Sequence, residues 1–278
     1  MTTPKITTIK RQDSRFYVEP LTGEKYPGVT SVVGMLPKEF LQYWQAKMVA
    51  TAAVEELGTV VQMTLRDPQA AIDHLKGAAR RNTAEAARIG TDAHDLFERL
   101  AKGEDVGRVH PELVPYVDHF KDFLDKAQPE FLHMEETVWS DTHRYAGSFD
   151  WIARIGGEVI FGDNKTTRSG IHAEVGIQLS AYRYADCLLR PDGTRVPVPK
   201  AAGAAVFHVR PEGWTFTPVK ADEEVFEVFK HLRAIFDYEK GGSSQIVGRP
   251  LLSGPDPNAA PKRRQPAARR SPAARAAA

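Results

Sequence analysis

Cysteine is almost absent from this chain of 278 residues, and its scarcity limits the kinds of site that the protein can carry. Cys187 is the only cysteine in the sequence. A single thiol cannot form an intramolecular disulfide, a CxxC zinc site or a cysteine-held iron–sulfur cluster. We therefore expect a protein of a reducing, cytoplasmic environment, without an iron–sulfur cluster among its cofactors.

Long apolar runs are also missing. The first residues, MTTPKITTIKRQDS, lack the apolar stretch of a signal peptide, and no segment approaches the roughly 18 apolar residues that a membrane span needs. Hydrophobic residues nevertheless make up 42% of the chain and charged residues 26%, which is an ordinary globular balance. We expect one domain over residues 1–252 and no membrane partner.

An excess of charge of one sign occurs only at the C-terminal end. Residues 261–278 hold six cations and no acid, whereas the whole chain has a net charge of +1, so residues 1–260 carry a net charge of −5. A polyanion would therefore have to bind the folded part in a local basic groove. Residues 253–278 are rich in Pro, Ala and Arg, which predicts a disordered tail that is either a DNA tether or a solvated end.

The first half of the chain shows two kinds of periodicity. Aromatic and β-branched residues on either side of a polar turn predict a short extended ribbon over residues 15–33. Apolar residues recurring at three and four then predict a helical arm over about 38–127, with helices at 38–57, 68–102 and 111–127.

The core of the fold is predicted over about 131–240, and its fold class is α/β (α+β). Alternating β-rich segments separated by turns predict a three-stranded meander, and the helical period then returns. The segments in chain order are strands at 136–140, 144–155 and 158–166, a helix at 172–189, strands at 204–210 and 214–219, and a helix at 222–239.

Two acids and a lysine lie on neighbouring segments of the predicted meander. We place Asp150 within the second strand and Asp163 and Lys165 at the end of the third, where residues two apart project from the same face. Carboxylates bind Mg²⁺ or Mn²⁺, and a neighbouring lysine can stabilise the charge that develops in phosphodiester hydrolysis. Taken alone, however, the tripeptide 163–165 is more typical of a polar turn after a strand.

Five segments, in order, resemble the RecB-like and Cas4-like exonuclease branch of the PD-(D/E)XK nucleases, especially the stand-alone versions that phages encode. They are GTDAH (90–94), Glu135, GSFD (147–150), DNK (163–165) and QLSAY (178–182), and the resemblance covers about residues 27–240. It implies a restriction-endonuclease-like core, with a mixed central sheet flanked by helices. It also implies an Mg²⁺- or Mn²⁺-dependent exonuclease that acts on DNA ends in phage-type recombination, repair or DNA degradation. The chain departs from Cas4-type proteins in lacking four cluster cysteines.

The resemblance also implies roles for individual residues. The metal would be bound by His94, Asp150 and Asp163 together with the backbone carbonyl of Asn164, and Lys165 would be the catalytic lysine. Glu135 would be a supporting acid; we favour it over Glu136 by family spacing, since alternation along a strand lets only one of the two face the site. The residues expected to contact DNA are Gln178, Tyr182, Thr166 and Arg168, where Gln178 and Tyr182 share a helix face and serve either a phosphate or the catalytic framework.

Other functions remain open at the level of sequence. The same centre would serve a structure-specific or nicking endonuclease, and a chain that had lost catalysis would be a DNA-binding recombination accessory protein. The polarity of digestion, the preference for single or double strands, and RNA as a substrate are also open. DNA is the expected partner; a separate recombinase, annealing protein or helicase, and a homo-oligomer, are further partners that we consider.

Overall fold

The computed structural model describes residues 5–252 and residue 254. Its first part contains strands β1 (Thr8–Arg11), β2 (Ser14–Val18) and β3 (Lys25–Pro27) and helix α1 (Val29–Val33). The helical arm contains α2 (Phe40–Glu55), α3 (Leu57–Arg66), α4 (Pro68–Lys76), α5 (Ala78–Ala101) and α6 (Val114–Ala127). The core begins with β4 (Glu130–Met134), β5 (Thr137–Ser140), β6 (Tyr145–Ser148), β7 (Trp151–Ile155) and β8 (Glu158–Lys165). It continues with α7 (Glu174–Arg183), β9 (Cys187–Leu189), β10 (Arg195–Val196), β11 (Gly203–Arg210), β12 (Gly213–Val219) and α8 (Glu223–Asp237), which short helical turns follow at Tyr238–Gly242 and Ser243–Gln245. The tail predicted for residues 253–278 lies outside the described residues, apart from residue 254.

A mixed five-stranded sheet forms the centre of the core. Its strand order is β12-β11-β8-β7-β4, in which β11 and β8 are parallel and the other neighbours are antiparallel. A second, antiparallel sheet has the order β10-β9-β5-β6, and β1, β2 and β3 form a third. The predicted fold class is therefore confirmed: the protein is α/β, with a mixed sheet flanked by helices.

Helices cover both faces of the central sheet because successive residues of each strand face opposite sides. In β11, Phe207 packs with Phe97 of α5 and Phe120 of α6 on one face. Its neighbour Val206 belongs to the apolar cluster on the other face, together with Phe229 of α8 and side chains of α1 and α7. The sheet is thus held between two helical layers, and no helix among the described residues is long and apolar enough to cross a membrane.

The predicted meander is wrong, because its middle strand is two strands in different sheets. Residues 144–155 divide into β6, which pairs with β5, and β7, which pairs with β4 and β8. Asp150 therefore lies between two strands and not within one. Aromatic and β-branched residues recur from Tyr145 to Ile155 without a proline between them, so the sequence pattern does not mark the crossing from one sheet to the other.

Other element boundaries also differ from the predictions. Residues 29–33, expected to be extended, form α1, because burying Val29, Val32 and Val33 together requires helical spacing. The predicted helix at 172–189 ends at Arg183, and Cys187–Leu189 pairs with β5 as a strand instead.

In the arm, the helix predicted at 68–102 is interrupted at Gly77, and the one predicted at 111–127 begins at Val114. Helix α3 and strand β4 were not predicted at all.

Candidate metal centre

Three side chains from three separate segments converge at one edge of the central sheet. They are His94 of α5, Glu135 between β4 and β5, and Asp150 between β6 and β7. One ligand atom of each lies within 4.8 Å of the others. The Asp150 and Glu135 residues are 7% exposed, and the His94 side chain is 13% exposed. The fold therefore collects a nitrogen and two carboxylate groups in a largely buried position.

Glu135 reaches this cluster through an unusual backbone conformation. Its φ angle is +52°, in the left-handed region that residues other than glycine seldom adopt. The Glu135 N–H donates to the Asp150 carbonyl over 2.9 Å, which fixes the two acids side by side. Glu136 instead accepts a hydrogen bond from His133 at 3.1 Å. The structure thus brings Glu135 to the cluster, as we favoured, but a kink between strands does this and not alternation along a strand.

His94 is placed by close packing of α5 against the loop that follows β8. At Gly90, one turn earlier, a Cβ atom would lie 3.1 Å from the Thr166 Oγ1 atom, so glycine permits this approach. The buried His94 Nδ1 has no hydrogen-bond partner among the described residues and lies 3.7 Å from Asp150 Oδ2. A buried nitrogen without a partner costs free energy, and a bound cation would remove that cost.

Asp163 and Lys165 form an ion pair next to the cluster. The Lys165 Nζ lies 2.6 Å from Asp163 Oδ2. The Gln178 side-chain amide donates to Asp163 Oδ1 over 3.3 Å and to the Tyr182 hydroxyl over 3.1 Å. The converging group consists of His94, Glu135 and Asp150 and does not include Asp163. The buried Asp163 Oδ2 nevertheless has no hydrogen-bond partner among the described residues besides this ion pair. Metal binding by Asp163 and by the Asn164 carbonyl therefore stays a prediction.

Asn164 connects the two groups of side chains. Its backbone N–H donates to Asp150 Oδ2 over 2.6 Å, and its side-chain oxygen accepts from Trp151 Nε1 over 3.0 Å. The Trp151 ring lies against Gly162, where a Cβ would be only 2.0 Å from the ring. This support of Asp150 was not predicted, although a glycine inside a buried strand is a sequence signal of close packing.

Burial sets the electrostatics of the cluster. Burial and the nearby Asp150 raise the pKa of Glu135 to about 9, and burial raises the pKa of Asp163 to about 6 against the opposing effect of Lys165. Burial also lowers the pKa of His94, despite Asp150 nearby. The pKa of Lys165 is raised, because the attraction of Asp163 and Asp150 outweighs its burial. Burial and the short distances between the acids therefore disfavour ionisation of all of them at once. A bound cation would favour the ionised forms.

These side chains fit a divalent cation. Carboxylate oxygens are the ligands that Mg²⁺ and Mn²⁺ prefer, and a neutral imidazole is compatible with Mn²⁺. A bound cation would give the unpartnered His94 Nδ1 a partner. It would also stabilise the ionised form of Glu135, whose pKa is raised in its absence.

The predicted DNA contacts occupy different surroundings. Tyr182 is 1% exposed and hydrogen-bonded to Gln178, so the DNA contact predicted for Tyr182 is corrected: its phenol lies inside the core, in the framework around Asp163. Arg168 is exposed, and the carbonyl of Thr166 accepts a hydrogen bond from Arg210. Contacts of Gln178, Thr166 and Arg168 with DNA stay predictions.

Comparison with known proteins gives no family. No family model matches the sequence, and no curated protein matches it. Solved structures do match, among them the crystal structure of SSO0001, which is 12% identical and has a TM-score of 0.34 over 72% of this chain and 87% of that one. At that TM-score the likeness supports no conclusion about fold or function.

Proposed function

We propose that this protein is an Mg²⁺- or Mn²⁺-dependent deoxyribonuclease of the PD-(D/E)XK type, acting as an exonuclease on DNA ends. The observation that carries the proposal is the convergence of His94, Glu135 and Asp150 beside the Asp163–Lys165 ion pair. A cluster of cation ligands next to a positively charged side chain suits the hydrolysis of a phosphodiester.

The residues that would hold the cation are His94, Glu135 and Asp150. When bound, the cation would supply charge for the phosphate oxygens and lower the pKa of an attacking water. Asp150 is held ready by the Asn164 backbone N–H, and Glu135 is fixed by its own backbone bond to Asp150. Both carboxylates are therefore positioned before any substrate arrives.

Lys165 would bind the substrate phosphate. Its raised pKa keeps the ammonium charged at neutral pH, and its side chain is 29% exposed, so it is accessible from one side. Asp163 orients the ammonium, and Gln178 in turn holds the Asp163 carboxylate. In this arrangement Asp163 positions Lys165, and a non-bridging phosphate oxygen is the acceptor that its remaining N–H groups suit.

Action on DNA ends, and a place in phage-type recombination, repair or DNA degradation, belong to the proposal through the five sequence segments. So does action in the cytoplasm, which would be the host's if a phage encodes the chain. A structure-specific or nicking endonuclease would use the same side chains, so the shape of the substrate has to distinguish the two activities.

The test is hydrolysis of linear and covalently closed circular DNA in Mg²⁺, Mn²⁺ or EDTA. We expect wild-type protein to degrade linear DNA only, and only with a cation, and we expect Asp150→Asn and Lys165→Ala to lose this activity. Asp118→Asn and Lys121→Ala change exposed residues of α6 and should retain it. Cutting of circles would replace the exonuclease with an endonuclease, and inactivity of folded wild-type protein on every DNA would refute the nuclease.

A further inference from the structure

A groove with a volume of about 600 Å³ lies between α2 and α5 of the helical arm. It is separate from the metal centre and is lined by residues that the site does not use. The residues that matter for its chemistry are Gln42, Trp44, Gln45, Lys76, Arg80 and Thr83.

The groove is positively charged, whereas residues 1–260 together carry a net negative charge. Lys76 and Arg80 are its charged lining residues, no acid lines it, and neither cation forms an ion pair with another described residue. The nearby acid Glu56 is already engaged by His74 and Arg81. Because residues 1–260 carry a net charge of −5, this groove is a local site where an anionic chain would be attracted.

Aromatic and amide groups lie beside the cations. Trp44 forms part of the wall and is only partly buried, and the adjacent Tyr43 is 80% exposed. Gln42 and Gln45 add donors and acceptors. Cations in the same groove as a partly exposed aromatic ring suit single-stranded nucleic acid, whose bases stack on the ring while its phosphates pair with the cations.

Both walls of the groove lead to the metal centre. On α5, Arg80, Thr83, Gly90 and His94 follow one another at spacings of three, seven and four residues and so lie along one face. The rise from Arg80 to His94 is about 21 Å at about 1.5 Å per residue.

On the other wall, α2 begins at Phe40, which stacks on His172 beside the loop after β8. Lys38, just before α2, pairs with Glu174 of α7 at 3.0 Å. The start of α2, two residues before the groove residue Gln42, therefore lies next to the segment that follows Lys165.

We propose that the groove between α2 and α5 binds single-stranded DNA and guides the strand to the metal centre. The inference rests on the proposed function for the identity of the nucleic acid. A duplex keeps its bases paired and stacked inside, so it could offer phosphates to Lys76 and Arg80 but no base face to Trp44. The ring in the wall thus favours a single strand.

The test is binding of fluorescein-labelled dT20 to the full chain in EDTA, followed by fluorescence anisotropy. EDTA separates binding from hydrolysis. The variants are Trp44→Ala and the double charge reversal Lys76→Glu/Arg80→Glu. Lys10→Glu/Lys121→Glu is the matched control, because it changes the net charge equally at exposed positions away from the groove.

We expect Trp44→Ala to raise the Kd by about tenfold or more, since it removes base stacking. The charge reversal should weaken binding further and reduce the slope of log K against log salt by about 1.4, while the control keeps the wild-type slope. The charge-reversal variant changes only exposed residues, so it tests the groove even where loss of Trp44 disturbs packing.

The inference is overturned when the groove variants bind dT20 like the control, or when a 20-base-pair duplex binds as tightly as dT20 and responds equally to both variants. Cleavage of linear DNA with Mn²⁺ is measured in parallel to separate the two proposals. If the wild type cleaves DNA and the groove variants bind and cleave it equally well, the groove proposal is refuted and the nuclease proposal stands. If the groove variants lose binding but no protein cleaves DNA, the nuclease proposal is refuted and the groove proposal stands.

Discussion

At the scale of single residues, the buried acids of the candidate metal centre lower the stability of the metal-free protein while they form the proposed site. Glu135 is buried beside Asp150 in a left-handed conformation, and its raised pKa records how poorly that position tolerates a charge. Buried like charges are retained at sites where a ligand compensates them. The stability of the metal-free protein should therefore respond to this one side chain.

We predict that Glu135→Gln stabilises the metal-free protein at alkaline pH. The folded-state pKa of Glu135, about 9, lies above its unfolded value, so its contribution to stability is complete below about pH 4.5 and is lost as the pH rises towards 9. Glutamine resembles the protonated acid, so the gain over wild type should be small at pH 5 and on the order of 1 kcal/mol or more at pH 8. Urea unfolding in EDTA measures both values.

Exposed Glu212→Gln is the control for this variant and should change little at either pH. Mn²⁺ should stabilise wild-type protein and have less effect on Glu135→Gln. A gain that does not grow with pH would mean that the charge of Glu135 is not what destabilises the metal-free protein.

A second prediction at this scale concerns Gly162. A Cβ there would overlap the ring of Trp151, whose indole N–H holds the Asn164 side chain. Gly162→Ala should lower the free energy of unfolding by about 1–3 kcal/mol and also reduce activity, because the displaced ring disturbs the residue that binds Asp150. Gly203→Ala, in neighbouring β11, meets no atom within 4 Å and should be close to neutral in urea unfolding and in the nuclease assay.

At the scale of elements, long periodic helices were predictable, and the junctions that form the site were not. Helices α5, α6 and α8 follow the spacing of apolar residues in the sequence. The division of residues 144–155 between two sheets was not visible, because it depends on pairing with β5 and β8, far away in sequence. Tertiary burial likewise makes the β-branched segment Val29–Val33 helical.

For the site, the sequence predicted which residues lie near one another but not how their side chains pair. The sequence predicted His94, Glu135, Asp150 and Lys165 as neighbours, and the structure brings them together. It gave Glu135 only a supporting role, whereas Glu135 is one of the three side chains that converge, and it did not predict the ion pair between Asp163 and Lys165. Backbone hydrogen bonds and the left-handed conformation of Glu135 decide which neighbour each carboxylate faces. The spacing of residues along the sequence predicts neither of these features.

Helix α7 provides a prediction at this scale. Gln178 lies on its face towards Asp163 and donates to both Asp163 and Tyr182. Gln178→Ala should lower kcat by about 10–100-fold with a smaller change in KM, since it loosens the carboxylate that orients Lys165. Steady-state cleavage of an end-labelled DNA measures both constants.

Gln69→Ala, an exposed glutamine of α4, is the control for Gln178→Ala and should leave both constants unchanged. If kcat/KM falls by the same factor but only through a higher KM, Gln178 binds substrate and does not position Lys165.

At the scale of the whole molecule, charge is divided between residues 1–260, which are net negative, and a basic C-terminal segment. Residues 261–278 hold six cations, so they are expected to add non-specific attraction to DNA. Deleting residues 255–278 should flatten the dependence of DNA affinity on salt, as measured by anisotropy between 50 and about 200 mM salt. An unchanged slope would show that the segment is a solvated end and not a tether.

Side chains from the arm and from two junctions between strands converge on one site, which we propose binds a cation and hydrolyses DNA. The most direct measurement is the rate of degradation of linear DNA as Mn²⁺ is titrated into metal-free protein, for wild type, Asp150→Asn and Asp118→Asn. The account predicts a rate that rises from zero and saturates for wild type and Asp118→Asn, and no degradation by Asp150→Asn. Degradation in EDTA, or equal rates for all three proteins, would contradict it.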